Sequence, residues 1–263
     1  PAGELSERTR RGLAELLERG VPFTIATARS VVSVRERFDL PLALPIVCAN
    51  GTFVDDLATG RHLHIADLDR EVAADLWGRA RVADVHPIVV TTSEEHGDRM
   101  FFLPDAEGPT AAFLDDRRHH RDPRIRVVEP REVEAALATE LVTGLVAIDR
   151  AARLGPLAEA IAGEHPLAVD LNDDYYLRGY QWLTVHGPEA TKGHGVRLLR
   201  ERYLPEAERI VVFGDQTNDL SMFAVADHAV AMGNAVPSVK AAADEVIGPH
   251  EEDAVVRWLL ANA

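Results

Sequence analysis

The stretch Arg209-Ile-Val-Val-Phe-Gly-Asp-Gln-Thr-Asn-Asp-Leu-Ser-Met-Phe223 decides how the rest of the chain is read. Residues 209–213 have the length and apolar texture of a buried parallel strand. Gly214 ends it, Asp215 sets a carboxylate at its C-terminal edge, and Asn218 and Asp219 follow at the entrance to a helix. In open α/β sheets, ligands bind just beyond the carboxyl ends of the strands. Magnesium takes hard oxygen ligands, usually one or two carboxylates with water and substrate phosphate. Asp215 and Asp219 are therefore the expected metal residues. The local alternative is that Asp219 caps its helix and Asp215 sits in a turn.

Working outward, the same alternation of strand and helix recurs at both ends of the chain. Residues 195–203 read as a helix, 229–232 as a strand, and 238–243 and 251–261 as helices. Near the start, residues 6–19 form an amphipathic helix with Leu13, Leu16 and Leu17 on one side, Ser6 as N-cap and Gly20 as stop. Residues 21–26 read as a buried parallel strand delivering Thr27, Ala28 and Arg29 at its C-terminal end. A helix at 31–38 and a strand at 45–49 follow, and Asn50-Gly51 turns the chain into 52–54. The middle has a different texture. It reads as a helix at 71–80, strands at 87–91 and 100–103, a polar loop at 104–123, a strand at 141–148, a helix at 154–162, and strands at 167–171 and 181–185. An α/β core of residues 1–66 and 184–263 with an inserted α+β domain of residues 67–183 accounts for this order.

Asp and Glu number 43 against 28 Lys and Arg, a formal charge of -15. A field of that sign repels nucleic acid and anionic membrane. It also repels a phosphate ester unless a cation or a few donors reverse it locally, so phosphate chemistry here calls for a metal. No apolar run approaches the roughly 18 residues of a membrane span. One cysteine, Cys48, makes no internal disulfide, which suits a reducing cytoplasm. His62 with His64, and His119 with His120, lack a third ligand at recognisable spacing, so no zinc site is expected. His194 stands two residues after Lys192.

Gly214-Asp215 followed by Asn218-Asp219 and Met222 resembles the fourth motif of Cof-type phosphatases in the haloacid dehalogenase superfamily. Thr27-Ala28-Arg29 resembles their second motif, with Ala28 where glycine is usual. Asn50-Gly51 is similar to an Asn-Gly that ends their next strand, Lys192-Gly193 to their third motif, and Met232-Gly233-Asn234-Ala235 with Lys240 and Ala243 to their C-terminal signature. The resemblance implies a Rossmann-like parallel-sheet core with an inserted C2-type cap. It also implies a magnesium-dependent phosphatase that hydrolyses a small-metabolite phosphate monoester through an aspartyl-phosphate. Carried over position by position, Thr27 and Lys192 are catalytic and phosphate-binding. Ala28, Asn50, Gly51 and Asn218 line the substrate, and Asp215 and Asp219 hold Mg2+. Locally, Thr27 also reads as a strand residue, Asn50-Gly51 as a hairpin turn and Lys192 as a surface lysine.

The first motif of these enzymes, Asp-x-Asp-Gly-Thr, has no match here. Its first aspartate attacks phosphorus and its second is general acid and base. The near match Asp67-Leu68-Asp69 reads as a solvated helix start. The resemblance leads us to expect about 10–20 further N-terminal residues carrying the first strand and both aspartates. Two other functions fit the same residues: an inactive binding or scaffold protein of this fold, and a phosphomutase. Asp173, Asp174, Tyr176 and Arg178 are the candidates for substrate choice.

Overall fold

A computed structural model describes residues 5–174 and 177–263. The chain divides into two compact units: one runs to Ile65 and resumes at Ala190, and the other is Ala66–Glu189. The inserted segment therefore extends past the expected limit at 183, because its last strand continues to His186 within the inserted sheet.

In the first unit, α1 (Glu7–Glu18) begins where the Ser6 hydroxyl accepts the Thr9 N–H, and it ends at Gly20, whose φ of +74° only glycine adopts without cost. The 21–26 run, expected to be a buried parallel strand, is extended but not a full strand. It makes one parallel bridge, Ala26 to Val47, with bonds from Thr27 N–H to Val47 and from Val47 N–H to Ile25. Next come α2 (Val31–Arg35), β1 (Ile46–Cys48), β2 (Phe53–Asp55) and β3 (His62–Ile65), which form an antiparallel sheet in the order β1-β2-β3.

The second unit contains α3 (Arg70–Val82), β4 (Ile88–Ser93), β5 (Gly97–Phe102), α4 (Gly108–His119), β6 (Ile125–Val127) and α5 (Pro130–Thr139). It continues with β7 (Leu141–Arg150), α6 (Ala151–Glu164), β8 (Ala168–Asp173) and β9 (Tyr180–His186). Six strands form one sheet in the order β6-β5-β4-β7-β9-β8. The period of two sorts side chains onto its faces. Leu145 and Ala147 of β7 face α3, α5 and α6, through Leu76, Trp77, Val133, Leu137, Leu154 and Ile161. Ile148 belongs to a second cluster with Met100, Phe102 and Leu114. The 104–123 loop is corrected by α4: Pro109 starts the helix, and Phe113 and Leu114 give it an apolar face to bury on the sheet. Asp69 caps α3 by accepting the N–H groups of Glu71 and Val72, so the Asp67-Leu68-Asp69 sequence is a helix start.

Back in the first unit, α7 (Lys192–Tyr203), β10 (Val211–Gly214), α8 (Leu220–Phe223), β11 (His228–Ala231), α9 (Pro237–Ala242), β12 (Glu245–Val246) and α10 (Ala254–Asn262) complete the chain. β10, β11 and β12 are parallel, and Val212, Met222, Ala229, Ala231 and Val239 fill the space between them and their helices. The Asp253 carboxylate ties α10 to α1 by accepting hydroxyls from Ser6 and Thr9. No helix among the described residues is long and apolar enough to cross a membrane.

The inserted unit carries a half-buried histidine with a readable pH consequence. His186 Nδ1 donates to the Thr143 carbonyl at 2.7 Å. Burial pushes its pKa below the ordinary histidine value, against the opposing pull of the Thr143 carbonyl and Asp170. The unfolded chain therefore binds more protons than the native one as pH falls through about 6.5, and stability drops there by up to about 1.4 kcal/mol per pH unit. Denaturant unfolding at several pH values between 5 and 8 should show this loss in the unaltered protein and a shallower one in His186→Gln. Equal pH profiles for the two proteins would rule the assignment out.

Candidate functional site

Four segments of the first unit meet through polar contacts. Thr27 follows the extended run, and its carbonyl accepts the Asn50 N–H at 3.0 Å. Its hydroxyl oxygen accepts the Arg29 N–H at 3.1 Å and keeps its own proton to donate. Ala28 is exposed and joins the network through no side-chain bond. The hairpin from β1 to β2 turns through Ala49, Asn50 and Gly51, with φ of 46°, 58° and 101°. Two consecutive non-glycine residues at positive φ, Ala49 and Asn50, are costly unless the surroundings hold them. Bonds to the Thr27 and Arg29 carbonyls do so. A Cβ at Gly51 would lie 2.1 Å from the Thr191 carbonyl oxygen, so this glycine lets the hairpin touch the start of α7.

Thr191 caps α7 by accepting the His194 N–H at 3.1 Å. Lys192, the first residue of the helix, is 7% exposed, and its Nζ donates to Asp219 Oδ1 at 2.6 Å. The other oxygen of Asp219 accepts the backbone N–H groups of Asp215 at 2.8 Å and Gln216 at 3.0 Å. Gly214 makes this loop possible, since a Cβ there would fall 2.5 Å from that of Asp219. Asn218 stands between these parts and donates its amide to Asn50 Oδ1 at 2.9 Å.

Both oxygens of Asp219 accept from donors of this chain, Lys192 on one and two backbone N–H groups on the other, so it anchors Lys192 and shapes the 215–219 loop. Asn218 contrasts with it: its Oδ1 is buried and, among the described residues, accepts no hydrogen bond. A buried carbonyl oxygen without a donor is costly, and a cation or water meets that need. Asp215 Oδ2 accepts the Asn234 amide at 3.2 Å, and no described donor reaches its Oδ1. Two hard oxygens thus suit Mg2+ as ligands, alongside one carboxylate charge. Asn234 was legible only as part of a signature, with no role attached.

Cys48 takes no part in this chemistry. Burial beside Asp55 pushes its thiol well above the ordinary range, and a thiol held neutral is a poor nucleophile. Of the residues suggested for substrate choice, Tyr176 lies outside the described residues. Asp173 and Asp174 accept the Gln181 amide at 2.9 Å and the Trp182 indole N–H at 2.7 Å, which braces the β8–β9 hairpin. Arg178 is exposed.

A model of the family described as haloacid dehalogenase-like hydrolase matches residues 1–259. The 5-amino-6-(5-phospho-D-ribitylamino)uracil phosphatase YitU of Bacillus subtilis is 26% identical over 259 residues, 97% of this chain and 90% of its own. The pyridoxal phosphate phosphatase YbhA of Escherichia coli is 24% identical over 260 residues, covering 95% and 89%. The solved structure of TM0651 from Thermotoga maritima is 29% identical, with a TM-score of 0.75, over 99% of this chain and 91% of that one.

Removing one partner of a buried charge pair strands the other. Asp219→Ala should cost about 3–5 kcal/mol of stability in denaturant unfolding, because it leaves the Lys192 ammonium and two backbone N–H groups unpaired. The double variant Lys192→Met/Asp219→Asn removes both charges, keeps an acceptor for the loop, and should cost less. An Asp219→Ala protein as stable as the original would show that the pair does not hold the loop.

Proposed function

The chain belongs to the haloacid dehalogenase-like hydrolase family, and from that premise we propose that it is a magnesium-dependent phosphatase acting on a small phosphorylated metabolite. The observation that carries the reading is the meeting of Lys192, Asp215 and Asn218 around Asp219 at the carboxyl end of β10. YitU and YbhA are named for two chemically different phosphate monoesters, which supports the class and favours neither compound.

In this reading each residue has a distinct task. Lys192 has three donors and gives one to Asp219, leaving the others for phosphoryl oxygens. Thr27 donates its hydroxyl, and the Ala28 backbone amide next to it adds a neutral donor. Asn50 and Gly51 fix the wall of the site through the contacts with Asn218 and Thr191. Asp215 and Asn218 hold Mg2+, which would supply charge neutralisation at the phosphoryl group. Positioned charge of this kind is most of what phosphoryl transfer asks of a protein.

The attacking group is proposed to be an aspartate, as the resemblance implies, forming an aspartyl-phosphate as the alcohol leaves, which water then hydrolyses. Residues 66–189 are proposed as the cap that selects the metabolite. The buried, unbridged Cys48 suits a cytoplasmic enzyme.

A panel of phosphorylated metabolites and a chromogenic phosphate ester, tested on the full-length polypeptide, decides the matter. Inorganic phosphate should be released with Mg2+ and not with a chelator. Asp215→Asn should lower kcat/KM about 10²–10³-fold, the usual scale for a lost electrostatic group. Release that survives chelation, or none from any ester, would sink the reading.

A further inference from the structure

We propose that Asn234 is a positioning residue that clamps one oxygen of Asp215, so that the other is presented to the divalent cation. The inference rests on the reading of Asp215 as a cation ligand and goes beyond it by naming what orients that ligand.

The backbone of Asp215 is already fixed at both ends. Its N–H donates to Asp219 Oδ2 at 2.8 Å, and its carbonyl accepts the Val236 N–H at 3.0 Å. Its carboxylate is not tied by those bonds and could still turn about its side-chain torsions. Asn234 supplies the missing restraint, donating from Nδ2 to Asp215 Oδ2 at 3.2 Å.

The orientation of that amide follows from its other end. Asn234 Oδ1 accepts the backbone N–H of His250 at 3.0 Å. A backbone N–H can only donate, so the oxygen must face His250 and the NH2 group must face Asp215. Turning the amide would break both bonds at once. The turn that carries Asn234 is seated against the segment before His250. Gly233 N–H donates to the Gly248 carbonyl at 3.1 Å, and a Cβ at Gly233 would lie 2.8 Å from the Pro249 nitrogen. Asn234 is therefore a rigid strut between two backbone segments and one carboxylate.

The consequence concerns how Asp215 meets an ion. Magnesium demands near-octahedral geometry and takes a carboxylate through one oxygen more readily than through two. Occupying Oδ2 with an amide donor leaves Oδ1 as the single oxygen for the cation and removes in advance the freedom that binding would otherwise have to freeze. Groups one step behind a metal ligand commonly set affinity by about 10–100-fold. Asn234 is exposed and belongs to no hydrophobic cluster, so its loss opens no cavity.

Calorimetric titration of the metal-free, full-length polypeptide with Mg2+ and with Mn2+ tests the proposal, with the thermal midpoint of the metal-free protein as the folding control. Asn234→Ala should weaken ion binding about 10–100-fold and leave that midpoint in place. In an Asp215→Asn background, adding Asn234→Ala should change affinity no further. Unaltered affinity in Asn234→Ala beside a weakened Asp215→Asn overturns the inference alone, as does an equal loss from Asn234→Ala in both backgrounds. Unaltered affinity in Asp215→Asn overturns the reading of the site and the inference with it.

Discussion

A buried ammonium paired with a buried carboxylate, Lys192 with Asp219, is the interaction on which the rest of the first unit's chemistry depends. Neither charge is stable alone at that depth, and the pair survives because Asp219 also receives two backbone N–H groups on its second oxygen. One residue therefore performs three acts of organisation. It fixes the first turn of α7, it folds the 215–219 loop tightly against the end of β10, and it carries Asn218 to the Asn50 hairpin. Any account of Thr27, Asn50, Asp215 or Asn234 as site residues presupposes that pair.

The strand-to-loop sequence around Gly214 was readable because it combines apolar length, a glycine and two acids, and physics permits few arrangements of those features. The alternation of β10, β11 and their helices followed from the same pattern. Other parts were hidden for identifiable reasons. The α4 segment reads as polar because Asp115, Asp116, Arg117 and Arg118 crowd its C-terminal half, and only Phe113 and Leu114 reveal the face it buries. α5 escapes because Ala and Glu dominate it, and its burial depends on Val133, Ala136 and Leu137 meeting a sheet built from distant residues. The 21–26 run has the composition of a central strand, yet composition does not say how many neighbours it will have, and one bridge is what it makes.

Within the site, residue types were legible and their division of labour was not. Asp215 and Asp219 are chemically identical, four residues apart, and equally plausible as ligands on a one-dimensional reading. Hydrogen-bond partners separate them: Asp219 accepts from three donors on its two oxygens, whereas Asp215 has one oxygen held by an amide. Such a distinction depends on contacts with residues 192 and 234, which no local spacing encodes. Asn218 looked like a substrate contact because of its company. Its orphaned buried oxygen gives it a more specific character.

Charge accounting supports the proposed cation. The whole chain carries -15, and the site does not reverse that sign by itself, since Lys192 and Asp219 cancel and Asp215 remains. A dianionic phosphate would meet a net negative wall supplied with only neutral donors and a lysine whose charge is already answered. Two unit charges 4 Å apart exchange about 4 kcal/mol at an effective dielectric of 20, so an unopposed carboxylate there is a serious obstacle to the anion. A divalent ion on Asp215 and Asn218, as proposed, would turn the local balance positive and satisfy the buried Asn218 oxygen in the same step. The acidic composition and the geometry of the loop after β10 thus both favour that proposal. A chain with several free lysines at this position would not need one.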